Sequence, residues 1–168
     1  MNLRLAKDVD DADALRGLIA EASEELSEAT AELREFARGI HPAVLTDRGL
    51  NSAIDALASR APVPVEIRSM PAERLPPPIE STAYFVVAEA LTNVARYSHA
   101  SSAQVEVARS NGTIVVEVRD DGIGGADPRR GSGLRGLADR VGAVDGRLRI
   151  MSESGAGTVV HAELPCAR

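Results

Sequence analysis

The residues best suited to chemistry form a short acidic, glycine-rich segment that directly follows a hydrophobic run. The run, Thr113–Arg119, is rich in β-branched residues and predicts a buried strand. It continues into Asp120-Asp121-Gly122-Ile123-Gly124-Gly125. Glycines permit positive φ angles and leave room for a flat ligand against the main chain. A carboxylate held at a strand end can accept a hydrogen bond from an exocyclic amine such as that of adenine. An ordinary acidic turn is the alternative interpretation of this segment by itself.

A second polar group lies upstream, in a helix predicted over Ile79–Ser98 from its apolar stripe. Glu89 and Asn93 are four residues apart, so they project from the same face about one turn from each other. Arg96 and Tyr97 follow on the next turn. Carboxylate and amide oxygens are suitable ligands for Mg²⁺, directly or through water. A solvated polar face is the alternative interpretation.

A third group, Gly131-Ser132-Gly133-Leu134, opens a helix predicted over Leu134–Val144. Glycines before a helix leave amide N–H groups free to point at a phosphate, and the helix N-terminus favours negative charge. The preceding residues 126–130 are polar and include Arg129 and Arg130, which makes them a candidate lid over a nucleotide.

The remaining elements are those that must position these three groups. A hairpin is predicted at Asn111-Gly112, because Asn-Gly between two alternating runs is a strong hairpin signal. Further elements are expected as a helix at about 49–60, a strand at 63–68, a proline-rich loop at 71–78, strands at 103–109 and 113–119, and a closing hairpin of 147–152 with 158–164. The prediction is an α+β fold: a two-layer sandwich of a mixed, mostly antiparallel sheet with helices on one face.

The amino-terminal part of the chain predicts a long helical arm before this sandwich. From about Ala12 to Ile40 the apolar residues are spaced alternately by four and three, a seam held for more than three heptads. This pattern favours a coiled-coil or four-helix-bundle arm over an amphipathic helix that lies on its own domain. Pro42 ends the helix. We therefore expect a helical domain at 1–45 and a second domain at 46–168.

Composition excludes several classes of function. A net charge of −6 over 168 residues argues against a general nucleic-acid binder. No apolar run approaches the ~20 residues that span a bilayer, so we expect no membrane contact by this chain. The single cysteine, Cys166, leaves no internal disulfide and is consistent with a reducing, cytoplasmic compartment.

The order of the motifs resembles the GHKL ATPases, the group that includes gyrase, heat-shock protein 90, histidine kinases and MutL. Glu89-x-x-x-Asn93, Asp120-x-Gly122-x-Gly124 and Gly131-x-Gly133-Leu134 are similar to their N box and two glycine boxes. Gly133-Leu-Arg-Gly-Leu-Ala-Asp-Arg-Val141 and Gly155-Ala-Gly-Thr158 look like the ATP-binding domain of NarL/DesK-type sensor histidine kinases. Arg34–Pro42 resembles the end of the second helix of their dimerisation domain. The fold implied is the Bergerat type of α/β sandwich.

The resemblance implies a role for each motif residue. Asp120 would hold the adenine amino group, and Arg96-Tyr97 stands where the family more often has Lys-His. Glu89 would orient water or metal and is the candidate catalytic residue. The other implied roles are Mg²⁺ binding by Asn93 with Glu89, the adenine pocket by Gly122, Ile123 and Gly124, phosphate contact by Gly131, Ser132, Gly133 and Leu134, and support of the base by Thr158.

The implied function is the ATP-binding catalytic region of a two-component sensor histidine kinase, with ATP and Mg²⁺ as cofactors. The family's phosphoacceptor His is followed by an acidic residue, whereas His41 precedes Pro and both His99 and His161 precede Ala. The γ-phosphoryl group would therefore pass to a His upstream of this chain and then to a response regulator, and this chain alone should not phosphorylate itself. The arm would form a homodimer. The alternatives are a non-catalytic nucleotide-binding and dimerisation module, and an anti-sigma-type serine kinase on the same fold.

Overall fold

The computed structural model describes residues 43–126 and 132–166, which all belong to the compact unit Pro42–Arg168. The predicted helical arm, Gly131 and the pair Arg129-Arg130 lie outside the described residues. The arm, its dimer and the domain boundary at 45/46 therefore stay predictions. Within the described ranges no helix has the length and apolar character needed to cross a bilayer.

The described elements form a helical layer and a sheet. In chain order they are α1 (Ala43–Ala58), β1 (Val65–Ser69), α2 (Pro77–Asn93), a π-helical turn (Val94–Ser98), β2 (Ala103–Ser110), β3 (Thr113–Asp120), α3 (Ser132–Gly142), β4 (Arg147–Met151) and β5 (Thr158–Pro165). In these residues the strands form one five-stranded sheet in the order β1-β2-β3-β5-β4. The β1–β2 pair is parallel and the other pairs are antiparallel. The predicted mixed, mostly antiparallel sheet is confirmed.

The register of the central strands gives the sheet one apolar face and one charged face. Val105 pairs with Val118, and Val118 pairs in turn with Val160, so all three side chains lie on the buried face. The helices cover this face, since Val86 and Val87 of α2 are fully buried in the same core. The opposite face carries Glu117, Arg119, His161 and Glu163. Alternation of apolar and polar residues is the pattern of a sheet that is packed on one side only.

The hairpin between β2 and β3 turns at Asn111-Gly112, as predicted. Both residues have positive φ, 49° and 76°. Positive φ at both central residues is what a type I′ turn requires, and its twist matches that of the flanking strands. The hairpin therefore brings the end of β3, with Asp120, directly beside the start of β2.

The helix predicted over Ile79–Ser98 begins earlier than predicted, and its last turn is not α-helical. α2 begins at Pro77, because Pro76 and Pro77 occupy the N-cap and first helical positions, where a missing N–H has no cost. The last turn, Val94–Ser98, is π-helical. Ala95 in this turn is exposed, so the apolar face of the helix does not extend to it. Single π turns inside helices are frequent at functional sites.

The helix predicted at about 49–60 is α1, which starts earlier, at Ala43. Gly49 interrupts it with φ 79° and ψ 178°, so α1 consists of two helical segments in sequence. The segment before Gly49 was not predicted. Its Leu45 is fully buried and its backbone is bonded to Arg74, which lies far along the chain. A contact of this kind leaves no local pattern in the sequence.

Candidate functional site

Asp120 is the last residue of β3, and its side chain lies on the buried face of the sheet. The Gly122 N–H donates to Asp120 Oδ1 at 2.8 Å, which fixes the direction of the carboxylate. Within the described ranges no protein donor is bonded to the second oxygen, Oδ2. Every fully buried side-chain nitrogen or oxygen in those ranges has a hydrogen-bond partner, so Oδ2 is reachable by a ligand. The site thus offers one oriented, accessible acceptor.

Gly122 brings this carboxylate up to the π-helical turn. A Cβ at Gly122 would lie 2.2 Å from the carbonyl oxygen of Ser98, so a side chain has no room there. The same Ser98 oxygen accepts a hydrogen bond from the Ile123 N–H at 2.8 Å. The turn after β3 is therefore fastened to the helical segment that directly follows Asn93.

The loop between β4 and β5 packs closely on the same turn. Gly124 has φ 65°, and a Cβ there would lie 1.9 Å from the carbonyl oxygen of Glu153. Gly157 has φ 73°, and a Cβ there would lie 2.0 Å from the carbonyl oxygen of Asp120. Two backbones approach this closely only where glycine is present. Asp120 also pairs directly with Thr158 across the sheet, so these residues form one compact group.

Ser152, which the sequence did not single out, joins this group through its hydroxyl. Its Oγ lies 2.9 Å from Thr158 Oγ1 and accepts the Ala126 N–H at 3.0 Å. The hydroxyl therefore anchors the last described residue before residues 127–131 to the wall of the site.

The neighbouring carboxylate, Asp121, has a separate structural task. It accepts backbone N–H bonds from Ser101 at 2.8 Å and Ser102 at 3.0 Å, and both serine hydroxyls donate to it as well. The hydroxyl bond of Ser101, followed by the Ser102 N–H, holds the pKa of Asp121 well below its usual range. Asp121 thus secures the chain before β2, while Asp120 faces the site.

Glu89 and Gly133 are brought together where α2 meets the first turn of α3. A Cβ at Gly133 would lie 2.0 Å from Glu89 Oε1. The two helices are also joined by Arg140, whose guanidinium carbon lies 3.9 Å from the centre of the Phe85 ring. A carboxylate beside the first turn of a helix is stabilised by the helix dipole. The N-terminus of α3 is thus held against α2.

The remaining predicted site residues occupy the edges of this arrangement. Asn93 ends α2 and is half-buried, as is Leu134 in the first turn of α3. Tyr97 and Ile123 are exposed by 64% and 54%, and they come from two segments that the Ser98–Ile123 bond holds in contact. Arg96 is exposed. Gly131 and the side chain of Ser132 are outside the described residues.

The oxygen-bearing side chains of the site suit a metal ion only when a bound phosphate ligand supplies further oxygens. Among residues 43–126 and 132–166 no group of three or more His, Cys, Asp or Glu side chains could hold a metal. Glu89 and Asn93 supply two oxygen-bearing side chains one turn apart on α2. Mg²⁺ is commonly bound by one or two such groups together with substrate phosphates and water. The residues therefore fit a magnesium ion that arrives with a phosphate ligand.

A comparison with known protein families assigns the chain to a class. Residues 79–168 match the family described as histidine kinase-, DNA gyrase B- and HSP90-like ATPases. The match covers more than half of the chain and includes most of α2, the Asp120 turn and α3. The chain therefore belongs to this family of ATPases, and the resemblance inferred from its motifs is confirmed.

The relatives place the chain among sensor histidine kinases. It is 30% identical over 166 residues to the oxygen sensor histidine kinase NreB of Staphylococcus carnosus, covering 94% of this chain and 46% of NreB. It is 36% identical over 163 residues to the sensor histidine kinase NarS of Mycobacterium tuberculosis, covering 92% of this chain and 36% of NarS. The chain thus spans less than half the length of these relatives.

Solved structures give the same class. A blue-light activated histidine kinase from Erythrobacter litoralis EL346 aligns with a TM-score of 0.59 and 25% identity, over 70% of this chain and 40% of that one. The Acinetobacter baumannii kinase AdeS aligns with a TM-score of 0.59 over 99% of this chain and 92% of that one, at 15% identity, and shows likeness of fold. The chain therefore contains an ATP-binding domain of the NarL/DesK-like sensor histidine kinase type.

Proposed function

We propose that this chain binds Mg·ATP and donates the γ-phosphoryl group to a histidine that lies upstream of it, from which the group passes to a response regulator. The observation that carries the proposal is the carboxylate of Asp120. One oxygen is held by the Gly122 N–H and the other is left as an acceptor beside the glycine-rich turn. An acceptor of this kind suits the exocyclic amine of adenine.

The adenine would lie against main chain that carries no side chains. Gly122 and Gly124 keep the turn close to Ser98 and Glu153, and Thr158 pairs with Asp120 on the neighbouring strand. Ile123, exposed between the two glycines, offers an apolar surface at the mouth of the pocket. The site would therefore recognise adenine by its flat shape, which stacks on the backbone, and by one hydrogen bond at the edge of the base.

The phosphates would lie near the first turn of α3. Backbone N–H groups there have no partner within the helix and favour negative charge. Gly131, Ser132, Gly133 and Leu134 are the residues assigned to this contact. Asn93 and Glu89 would hold Mg²⁺, and Arg96 and Tyr97 on the next turn would contact phosphate oxygens. When bound, Mg²⁺ neutralises charge on the transferred group.

The chemistry assigned to this chain is mostly positioning. Phosphoryl transfer needs the nucleotide held in line with its acceptor and its negative charge compensated, and little covalent chemistry from the protein. Glu89 would orient water or the metal ion. The acceptor histidine is not among the residues of the site, so it would come from the dimerisation helices, with the predicted arm joining two copies of the chain.

The experiment compares this chain with one extended at its amino end to include the acceptor histidine, each incubated with Mg²⁺ and γ-labelled ATP. We expect an acid-labile label on the extended chain alone, and no label when the extended chain carries Asp120→Asn. Binding of ATP by the extended chain without any label would indicate the non-catalytic module. An acid-stable label on a partner serine would indicate the serine kinase.

A further inference from the structure

A buried carboxylate lies at the start of α2, outside the nucleotide site. Glu80 is only 2% exposed. Arg74 donates to both of its oxygens, from Nε to Oε1 at 2.8 Å and from Nη2 to Oε2 at 2.9 Å. The Leu75 N–H donates to Oε1 at 3.1 Å. A two-pronged pairing of guanidinium and carboxylate is geometrically specific, so it orients the guanidinium of Arg74, whose side chain is 59% exposed.

From that position Arg74 reaches α1. Its Nη2 also donates to the carbonyl oxygen of Leu45 at 2.9 Å. Leu45 belongs to the helical segment that precedes the interruption at Gly49. Carbonyl groups near the end of a helical segment lack partners within it, and a cation placed there is favourable. Arg74 therefore joins the buried Glu80 to the end of this segment.

Gly49 makes room for this connection. Its φ of 79° interrupts α1, and a Cβ there would lie 3.1 Å from Arg74 Cδ and 3.2 Å from Arg74 Nε. The stem of the arginine passes directly over the glycine. The interruption in α1 and the path of Arg74 are thus two parts of one arrangement.

We propose that Arg74, Glu80 and the Leu45 carbonyl form a latch that fixes residues 43–48 to the body of the nucleotide-binding unit. Through these residues the chain continues toward Pro42 and the predicted dimerisation helices. If the proposed function holds, on which this inference rests, Arg74 and Glu80 are positioning residues for phosphoryl transfer. They set where the chain that leads to the acceptor leaves this unit, and they do not touch the nucleotide.

A second arginine–glutamate pair provides a matched control. Arg68 and Glu66 form an ion pair at 3.1 Å on the surface strand β1, with side chains 51% and 60% exposed. Exposed pairs of this kind contribute little to stability. Arg74→Met and Arg68→Met remove the same charge and keep a side chain of similar length. A difference in hydrogen exchange between the two variants is therefore due to the latch.

Hydrogen exchange on this chain tests the latch directly. In Arg74→Met we expect exchange of the backbone amides at 43–48 to accelerate by about tenfold or more, as suits the loss of hydrogen bonds to a charged group. Amides of β2 and β3, and all amides of Arg68→Met, should exchange as in the unmutated chain. Unchanged exchange at 43–48, or equal acceleration in the sheet, would overturn the latch. Because an unpaired buried carboxylate could unfold the unit, Arg74→Met with Glu80→Gln gives a second variant with the same expected result.

The positioning role is tested on the chain extended to include the acceptor. In Arg74→Met we expect kcat for phosphoryl transfer to fall about tenfold with an unchanged KM for ATP, the split expected when binding is intact and alignment is lost. Arg74→Lys should recover part of kcat. A normal kcat despite faster exchange at 43–48 would overturn the positioning role.

Calorimetry with ATP on the unmutated chain distinguishes failure of the proposed function from failure of the latch. Absence of nucleotide binding would contradict the proposed function, whereas the hydrogen-exchange experiment would still test the latch.

Discussion

The carboxylate of Glu89, one turn before the end of α2, lies against Gly133 in the first turn of α3 and occupies the place that a Cβ at residue 133 would take. A Cβ at residue 133 would lie 2.0 Å from Glu89 Oε1 and 3.0 Å from Glu89 Cδ. The two residues belong to motifs that are far apart in the sequence and are both assigned to the phosphate end of the nucleotide. Their contact gives a reason for glycine at the second position of α3.

Replacement of Gly133 by alanine should therefore displace the Glu89 carboxylate and weaken nucleotide binding. We expect Gly133→Ala to change the free energy of unfolding by less than about 1 kcal/mol, because the end of the flexible Glu89 side chain can turn aside. Affinity for Mg·ATP should fall, because the carboxylate leaves its place beside the first turn of α3. Gly142→Ala is the control, since a Cβ there meets nothing within 4 Å, and it should be neutral or slightly stabilising. Chemical denaturation and calorimetry measure both effects. Equal behaviour of the two variants would contradict the contact.

Two neighbouring glycines allow the energetic cost of a strained backbone to be measured apart from the cost of a steric clash. Gly124 and Gly125 both have positive φ, 65° and 79°, but only Gly124 faces the carbonyl oxygen of Glu153. We expect Gly125→Ala to cost about 1 kcal/mol for its conformation, and Gly124→Ala to cost about 2–3 kcal/mol more because the loops must separate. Thermal or urea unfolding of both variants measures the difference. Similar losses of stability would show that the Glu153 contact is unimportant.

Acid should weaken the fold through Asp121. Its pKa is lowered in the folded chain by the bonds from Ser101 and Ser102. A lowered folded-state pKa means that the stabilisation is present above the unfolded-state value of about 4 and is lost as pH falls toward the folded-state pKa. We expect Asp121→Asn to be less stable than the unmutated chain at pH 7, with the gap closing below about pH 4.

Urea unfolding at several pH values checks this expectation. Asp139→Asn, at an exposed position on α3, is the control and should follow the unmutated chain. A gap between Asp121→Asn and the unmutated chain that stays constant from pH 7 to acid pH would mean that the serine bonds do not depend on the charge of Asp121.

Local patterns in the sequence predicted the parts of the fold that depend on neighbouring residues. Alternation of β-branched residues gave β2 and β3, and Asn111-Gly112 gave the turn between them, because both signals lie within a few residues. The order of the three motifs gave the family and the position of Asp120. Element ends were less accurate, as α2 begins at Pro77, inside the segment predicted to be a loop.

Contacts between distant segments could not be predicted in this way. The sequence does not reveal that Ser98 and Gly122 lie so close together that a Cβ at residue 122 has no room. Asp120 is the last residue of β3 and lies on its buried face, whereas Asp121 follows the strand and accepts hydrogen bonds from Ser101 and Ser102. Two adjacent Asp residues do not reveal this difference in the sequence. The helical segment before Gly49 is bonded to Arg74, which lies 29 residues beyond Leu45. Such features arise from packing, which overrides local propensity.

The most direct test of the central claim is a calorimetric comparison of adenine and hypoxanthine nucleotides. Hypoxanthine carries an oxygen where adenine carries its amine, so it cannot donate to Asp120 Oδ2. We expect the unmutated chain to bind a non-hydrolysable ATP analogue with Mg²⁺ about 10- to 100-fold more tightly than its inosine counterpart. Asp120→Asn can keep the Gly122 bond while placing a donor where the acceptor stood, so it should lose this preference. An unmutated chain that binds both nucleotides equally, or a variant that keeps the preference, would contradict the assignment of Asp120.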